Sequence, residues 1–270
     1  MARRSPLINV MVSAVMKASR DLRRDFGEVE QLQVSRKGPA DFVTMADRRV
    51  EKLLYDELSH ARPDFGFLME ERGEVKGERE DIRFIIDPLD GTTNFIHGVP
   101  HFAITVAVEE RGEITAGVIY APITDELFWT EKGQGAYMND TRLRVSGRRK
   151  MDDALLATGI PFRGRDGHAE FIAEMQEIAP QVAGIRRFGA ATLDLAYVAA
   201  GRYDGFWEAG LKAWDIAAGV LLVREAGGYV TDFKGSQDVL KTGDVVAAND
   251  HLHAPLDRMV KRARRSLTAK

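Results

Sequence analysis

Arg83-Phe-Ile-Ile-Asp-Pro-Leu-Asp-Gly-Thr-Thr-Asn94 is the stretch on which the reading of this chain turns. Phe84, Ile85 and Ile86 form a short apolar run of the kind that makes a buried strand. It leads straight into two carboxylates, a glycine and two hydroxyls. Proline, aspartate and glycine are also common turn residues, but here each has a second use. Pro88 fixes one backbone angle between the acids, Gly91 lets the chain approach a bound group closely, and Thr92 can begin a helix whose free amides face an anion. The segment reads as a metal and phosphate site at a strand end. Haloacid-dehalogenase phosphatases carry two aspartates two residues apart on such a strand. Asp87 and Asp90 are three apart, and Pro88 and Leu89 between them break the alternation that would put both on one side of a continuing strand. A covalent aspartyl phosphate is therefore not expected.

Upstream, roughly residues 5 to 62 read as two helices. Leu7, Met11, Ala14, Ala18 and Leu22 recur at helical spacing in the first, so the charged and apolar opening is an amphipathic helix rather than a secretory signal. The second has a start signal in Thr44-Met-Ala-Asp47 and a stop at Pro63. Strand-like runs follow at Phe65 to Met69, Phe84 to Ile86, Phe102 to Val108, Ile114 to Tyr120 and Glu126 to Tyr137, separated by Gly, Pro and Asp turns. This half predicts helices on a largely antiparallel sheet.

Downstream of the basic stretch Arg142 to Lys150, short β runs at Leu155 to Gly159, Ile185 to Phe188, Gly205 to Trp207, Tyr229 to Asp232 and Val245 to Ala248 alternate with helical segments at about 168 to 179, 190 to 201, 214 to 226 and 250 to 268. The expected fold is a layered α/β (α+β) fold in two subdomains. The first, residues 1–142, holds Glu70 and the Asp87 to Thr92 motif. The second, residues 143–270, holds Glu208 and Asp215.

Composition narrows the chemistry. The 270 residues are 44% hydrophobic and 29% charged, which is ordinary for a folded globular chain. The absence of cysteine excludes disulfides, thiolate nucleophiles and cysteine-bound zinc, and fits a reducing, cytoplasmic setting. No stretch approaches the ~18 uninterrupted apolar residues of a membrane span. A net charge of -3 argues against general nucleic-acid binding. The histidines form no metal signature: His97 and His101 are four apart but lack the HExxH glutamate.

Two further acidic positions stand at element ends. Glu70-Glu71 closes the run Phe65 to Met69, and Asp215 opens the helix that carries Ile216, Val220 and Leu221. Taken singly they read as a solvated pair and a first-turn acid. Acids without a common task have no reason to fall repeatedly at the ends of strands and helices.

With these residues assembled, the chain resembles the inositol monophosphatase family. The resemblance lies in Glu70-Glu71, in Asp87-Pro-Leu-Asp-Gly-Thr-Thr-Asn-Phe95, and in Trp214-Asp-Ile-Ala-Ala-Gly219 with Glu225-Ala-Gly-Gly228. It extends from Asp41 to Asn249. Arg186-Arg187 and Asp194-Leu-Ala-Tyr-Val-Ala-Ala-Gly-Arg202 are similar to its bacterial SuhB-type branch. The resemblance implies an αβαβα sugar-phosphatase fold, a homodimer and inhibition by lithium. It also implies that Glu70, Asp87, Asp90, Asp215 and the Leu89 carbonyl are metal ligands. By the same similarity Glu208 and Asp90 hold a substrate hydroxyl, Gly189 to Ala191 line the substrate pocket, and Asp47 pairs with Thr92. Ala190 and Lys212 stand where some members carry a hydroxyl residue and a histidine.

Carboxylates gathered in one cleft resist ionisation without counter-charge. Two Mg2+ ions would cancel four of them and a third would offset a phosphate dianion, and hard oxygen ligands favour Mg2+ or Mn2+ over zinc. The expected reaction is hydrolysis of a small phosphate monoester, inositol 1-phosphate first, by water activated at a metal and oriented by Glu70 and Thr92. The amides of Gly91 and Thr92 would hold phosphate oxygens. Fructose 1,6-bisphosphate, nucleotide 3'-phosphates and histidinol phosphate use the same metal chemistry. A different class of reading, an RNA or transcription-complex partner, rests on basic clusters at Arg23-Arg24, Arg142 to Lys150, Arg186-Arg187 and Lys261 to Arg265 and on the SuhB-type resemblance.

Overall fold

The computed structural model describes residues 3–26, 34–38 and 41–268. It opens with α1 (Pro6–Phe26), a hairpin of β1 (Val34–Gly38) and β2 (Asp41–Thr44), and α2 (Met45–Ala61). Next come β3 (Phe65–Met69), β4 (Gly73–Val75), β5 (Arg79–Asp90), the short α3 (Thr92–Ile96), β6 (Ala103–Glu110), β7 (Glu113–Ala121), β8 (Glu126–Glu131), β9 (Gly135–Met138) and β10 (Thr141–Arg142). The remainder comprises β11 (Leu155–Thr158), α4 (His168–Ile178), β12 (Gly184–Arg186), α5 (Ala191–Ala199), β13 (Gly205–Glu208), α6 (Ala213–Glu225), β14 (Tyr229–Thr231), α7 (Val239–Thr242), β15 (Val245–Ala248) and α8 (His253–Thr268).

Strands β3 to β10 form an eight-stranded sheet in the order β10-β9-β8-β7-β6-β5-β3-β4. Only its β3–β5 pair is parallel. The second sheet has the order β12-β11-β13-β15-β14. It is parallel through β12, β11 and β13 and antiparallel beyond.

Period-two alternation sorts the side chains of both sheets into three cores. Along β5, Phe84 and Ile86 join a core with α1 and α2, while Ile85 between them joins another with α5 and α6. β6 does the same, with Ile104, Val106 and Val108 on one face and Ala103 and Ala107 on the other. In the second sheet Ala157, Phe206, Val245 and Ala247 face the α5–α6 core. Leu156, Trp207, Val246 and Ala248 face Ile178 of α4, Leu252 just before α8, and Leu256 and Val260 of α8. The layers are therefore α1–α2, sheet, α5–α6, sheet, α4–α8, which is the αβαβα architecture.

The central helices explain themselves by composition. Ile216 to Val223 of α6 are all buried, so the helix has no polar face and must be covered on every side. Small residues set the spacing: a Cβ on Gly117 of β7 would come within 3.0 Å of the Ala218 backbone, and one on Gly219 within 2.6 Å of Leu195 on α5.

Several elements differ from the sequence reading. Residues 34–38 and 41–44 form the antiparallel pair β1 and β2 between the two opening helices. The run Glu126 to Tyr137 is not one strand but two, β8 and β9, with Gly133 in the turn and Gly135 opening β9, both at positive φ. The strand at Phe84 to Ile86 is longer than expected, beginning at Arg79 and running on through Asp90. The Thr44 side chain, read as a helix cap, and the first two residues of the opening segment lie outside the described residues. Among those described, no helix is long and apolar enough to cross a membrane.

One ion pair ties the outer helices to the second sheet. Glu174 of α4 is buried, accepts 3.0 Å and 2.6 Å hydrogen bonds from Trp207 Nε1 and Arg264 Nε, and is held above the ordinary carboxylate range by burial, Arg264 pulling the other way. Its folded pKa lies above the ordinary 4.5, so its charge costs stability progressively as pH rises through and above that value. Replacing Arg264 by Met should destabilise the fold by about 3 kcal/mol near neutral pH, because Glu174 loses its buried counter-charge. Thermal melts should show the deficit shrinking toward pH 5 and growing toward pH 8.

Candidate active site

The Asp87-to-Asp90 segment is a break in an otherwise regular ladder. β5 pairs Asp87 with Thr105 and Asp90 with Ala103, so three steps on one strand match two on the other and the register shifts between them. Pro88 is tolerated there because a bulge needs no ladder donor at that position. Asp87 Oδ1 accepts the Leu89 amide at 2.9 Å, holding the bulge closed. Gly91 follows at φ 93°, and a Cβ on it would lie 3.0 Å from the His101 carbonyl oxygen. Only glycine meets both conditions.

The chain then enters α3, whose first residue, Thr92, places its hydroxyl 3.2 Å from Asp47 Oδ1 and 3.0 Å from the Leu89 carbonyl oxygen. Asp47 sits in the first turn of α2 and is buried. The acid that marked a helix start in the sequence thus also meets the site, through the Thr92 hydroxyl. Glu70 follows the last residue of β3, the neighbour of β5 in the sheet.

Asp215 arrives from the other sheet's side, in the first turn of α6. One of its carboxylate oxygens accepts the Lys212 amide at 2.7 Å, so the residue both caps its helix and faces the cleft. Thr192 joins the two halves. Its amide donates to Asp90 Oδ2 at 2.8 Å and its hydroxyl to the Asp215 carbonyl oxygen at 2.7 Å.

Glu70, Asp87, Leu89, Asp90, Gly91, Thr92, Gly189, Ala191, Glu208 and Asp215 all line one cleft of about 370 Å³. Every sequence-predicted site residue is in it except Asp47, which lies behind Thr92, and Ala190, which is wholly buried. Sequence reasoning missed Arg165, Arg187 and Gly159, which line the same cleft, and Thr192, whose contacts hold two of its acids. Arg187 belongs to the Arg186-Arg187 pair already noted as a basic cluster. Arg165, Gly159 and Thr192 carry no local signal.

The acids raise one another. Burial pushes Asp87 well above the usual carboxylate range, and Glu70, Asp90 and Asp215 add to it. Asp90 is raised by burial and by Asp215, with the Thr192 amide pulling it down. Asp215 is pushed up to about 6, mainly by burial, against the Lys212 amide and with Glu70 adding. Glu208 is pushed up to about 8 by burial and Asp215, while Arg187 and Arg165 pull it down. A cleft that resists its own charges in this way is stabilised by a cation.

The donor set fits a hard divalent ion: carboxylate oxygens and a main-chain carbonyl, with no cysteine in the chain and no methionine lining the cleft. Among the described residues no three His, Cys, Asp or Glu side chains are already closed around a single metal position. The acids stand around an open cleft, an arrangement suited to ions that also take water and substrate oxygens as ligands.

A model of the inositol monophosphatase family matches residues 3–267 of the chain. The inositol-1-monophosphatase of Mesorhizobium japonicum is 59% identical over 259 residues, covering 96% of this chain and 97% of that one. The Nus factor SuhB of Escherichia coli is 44% identical, covering 90% and 91% of the two chains. The crystal structure of the extragenic suppressor protein suhB from Bartonella henselae superimposes with a TM-score of 0.93 at 57% identity, covering 95% of this chain and 99% of that one. With its motifs, its five layers and its cleft acids in agreement, the chain belongs to the inositol monophosphatase family.

Proposed function

We propose that this protein is a Mg2+-dependent phosphatase of small phosphate monoesters, with inositol 1-phosphate as its foremost substrate and a cytoplasmic homodimer as its working form. The observation that carries this reading is the convergence of Glu70, Asp87, Asp90 and Asp215 on one cleft with the Leu89 carbonyl, beside the start of α3. Close relatives named inositol-1-monophosphatase support the choice of substrate. The cysteine-free composition fits the compartment, and the exposed ring of Phe188, packed against His101, is suited to a subunit contact.

Each residue then has a task. Glu70, Asp87, Asp90, Asp215 and the Leu89 carbonyl would hold two or three Mg2+ ions, with Mn2+ as a substitute. Bound there, the ions supply charge neutralisation and lower the pKa of a water. Thr92 has one hydroxyl proton, which it gives to Asp47 or to Leu89. Its lone pairs remain free to accept from the attacking water, and Glu70 accepts that water's other proton. The amides at the start of α3 face phosphate oxygens. Asp90 and Glu208 accept hydrogen bonds from hydroxyls of the alcohol, and Gly189 and Ala191 bring backbone close to it.

The name Nus factor SuhB, borne by relatives at 44–46% identity, favours a second reading as an RNA or transcription-complex partner. Against it, many of the basic residues are engaged with acids. Arg23 pairs with Asp125, Arg24 with Asp21 and Asp25, Arg148 with Asp204, Lys261 with Asp257, Arg262 with Glu177 and Arg264 with Glu174. The cleft leaves the phosphatase ahead.

Phosphate release from inositol 1-phosphate should require Mg2+ and be suppressed by lithium. Asp90→Asn should lower turnover by ~100-fold or more at saturating Mg2+ and abolish the rise in melting temperature that Mg2+ gives the wild type. Near-full turnover in that variant would remove Asp90 from the site. Thr92→Val should reduce kcat by about tenfold with KM little changed, and Thr92→Ser should retain most activity. Full activity in Thr92→Val with a loss in Thr92→Ser would show that the methyl group, not the hydroxyl, matters.

A further inference from the structure

Gly159 follows β11 directly, and the parallel register of β11 with β13, which pairs Thr158 with Trp207, sets it beside Glu208. Both residues line the cleft. A Cβ on Gly159 would lie 2.0 Å from Cδ and Oε1 of Glu208 and 2.1 Å from Oε2. The three nearest atoms are thus one carboxylate, resting where any other residue would place its side chain. Gly159 does not need to be glycine for its own backbone, since its φ is not in the left-handed region, unlike that of Gly91.

What would yield to a side chain at 159 is determined by the surroundings. The strand ends are pinned, because the Thr158 hydroxyl donates to the Trp207 carbonyl at 2.7 Å and the Trp207 indole donates to Glu174. The carboxylate of Glu208 is the far end of a flexible side chain and is the group that can move. A larger residue at 159 is therefore accommodated by displacing Glu208, at little cost to the fold.

We propose that Gly159 is a specificity-determining residue: having no side chain, it seats the Glu208 carboxylate on the cleft wall and so selects esters whose alcohol bears hydroxyls for that carboxylate. The proposal rests on the phosphatase reading above. It concerns the alcohol-binding end of the cleft, where Arg165 and Arg187 flank Glu208, and not the acids that would hold metal.

The test compares two esters on the full-length protein with Mg2+: inositol 1-phosphate, rich in hydroxyls, and 4-nitrophenyl phosphate, which has none. Gly159→Ala should lower kcat/KM for inositol 1-phosphate by about tenfold, mostly through KM, as expected when a hydrogen bond to a charged group is lost. Turnover of 4-nitrophenyl phosphate should change by less than about twofold, and the melting temperature should hardly move. Glu208→Ala should cause a similar selective loss, and adding Gly159→Ala to it should cost nothing more, since both act through one carboxylate. Equal losses on both esters, additive effects in the double variant, or failure of Gly159→Ala to fold would each overturn the proposal. Failure of the wild type to hydrolyse either ester would instead overturn the phosphatase reading, and this proposal with it.

Discussion

Asp90 and Asp215 come from opposite halves of the chain, repel one another, and are held in place by the same residue. Thr192 gives its amide to the Asp90 carboxylate and its hydroxyl to the Asp215 carbonyl oxygen. Because Thr192 belongs to the first turn of α5, the middle helical layer is what brings the acids of one sheet up to the acid beside the other. The five layers can be understood from that constraint. α5 and α6 must be covered on both faces to sit between two sheets, and their nearly unbroken apolar sequences and small residues at the contacts allow it.

The price in stability is concentrated at one place. Burial of Asp87 and the mutual repulsion of the acids work against folding, and the same arrangement prepares the cleft for cations. Backbone hydrogen bonds keep three of the acids in position: the Leu89 amide on Asp87, the Thr192 amide on Asp90 and the Lys212 amide on Asp215. Asp87 and Asp215 are thus fixed by donors two and three residues away in the chain, and Asp90 by one 102 residues away. At the other end of the cleft Glu208 is handled differently, by charge from two arginines and by an absent side chain at Gly159.

What the sequence made legible follows from how local the cause is. Asp87 to Thr92 could be read because the apolar strand, the proline, the glycine and the hydroxyls act within a dozen residues. The α5 and α6 segments could be found from their apolar runs, and their ends were placed within a residue or two. The β1–β2 hairpin was missed because no strict apolar alternation marks residues 34–44. β8 and β9 were merged because the turn between them holds only Lys132 to Gln134. Arg165, Thr192 and Gly159 were missed for a different reason. Their roles arise from contacts across long stretches of chain, as with Thr192 and Asp90 at 102 residues' separation, and no spacing rule encodes those contacts.

The central claim is that four acids assembled across the seam of the fold hold divalent cations for phosphate-ester hydrolysis. It is tested most directly by anomalous diffraction from crystals of the protein soaked in Mn2+. The account predicts strong Mn2+ peaks bounded by carboxylate oxygens of Glu70, Asp87, Asp90 and Asp215 and by the Leu89 carbonyl oxygen. A cleft free of anomalous density, with Mn2+ bound elsewhere or not at all, would contradict it.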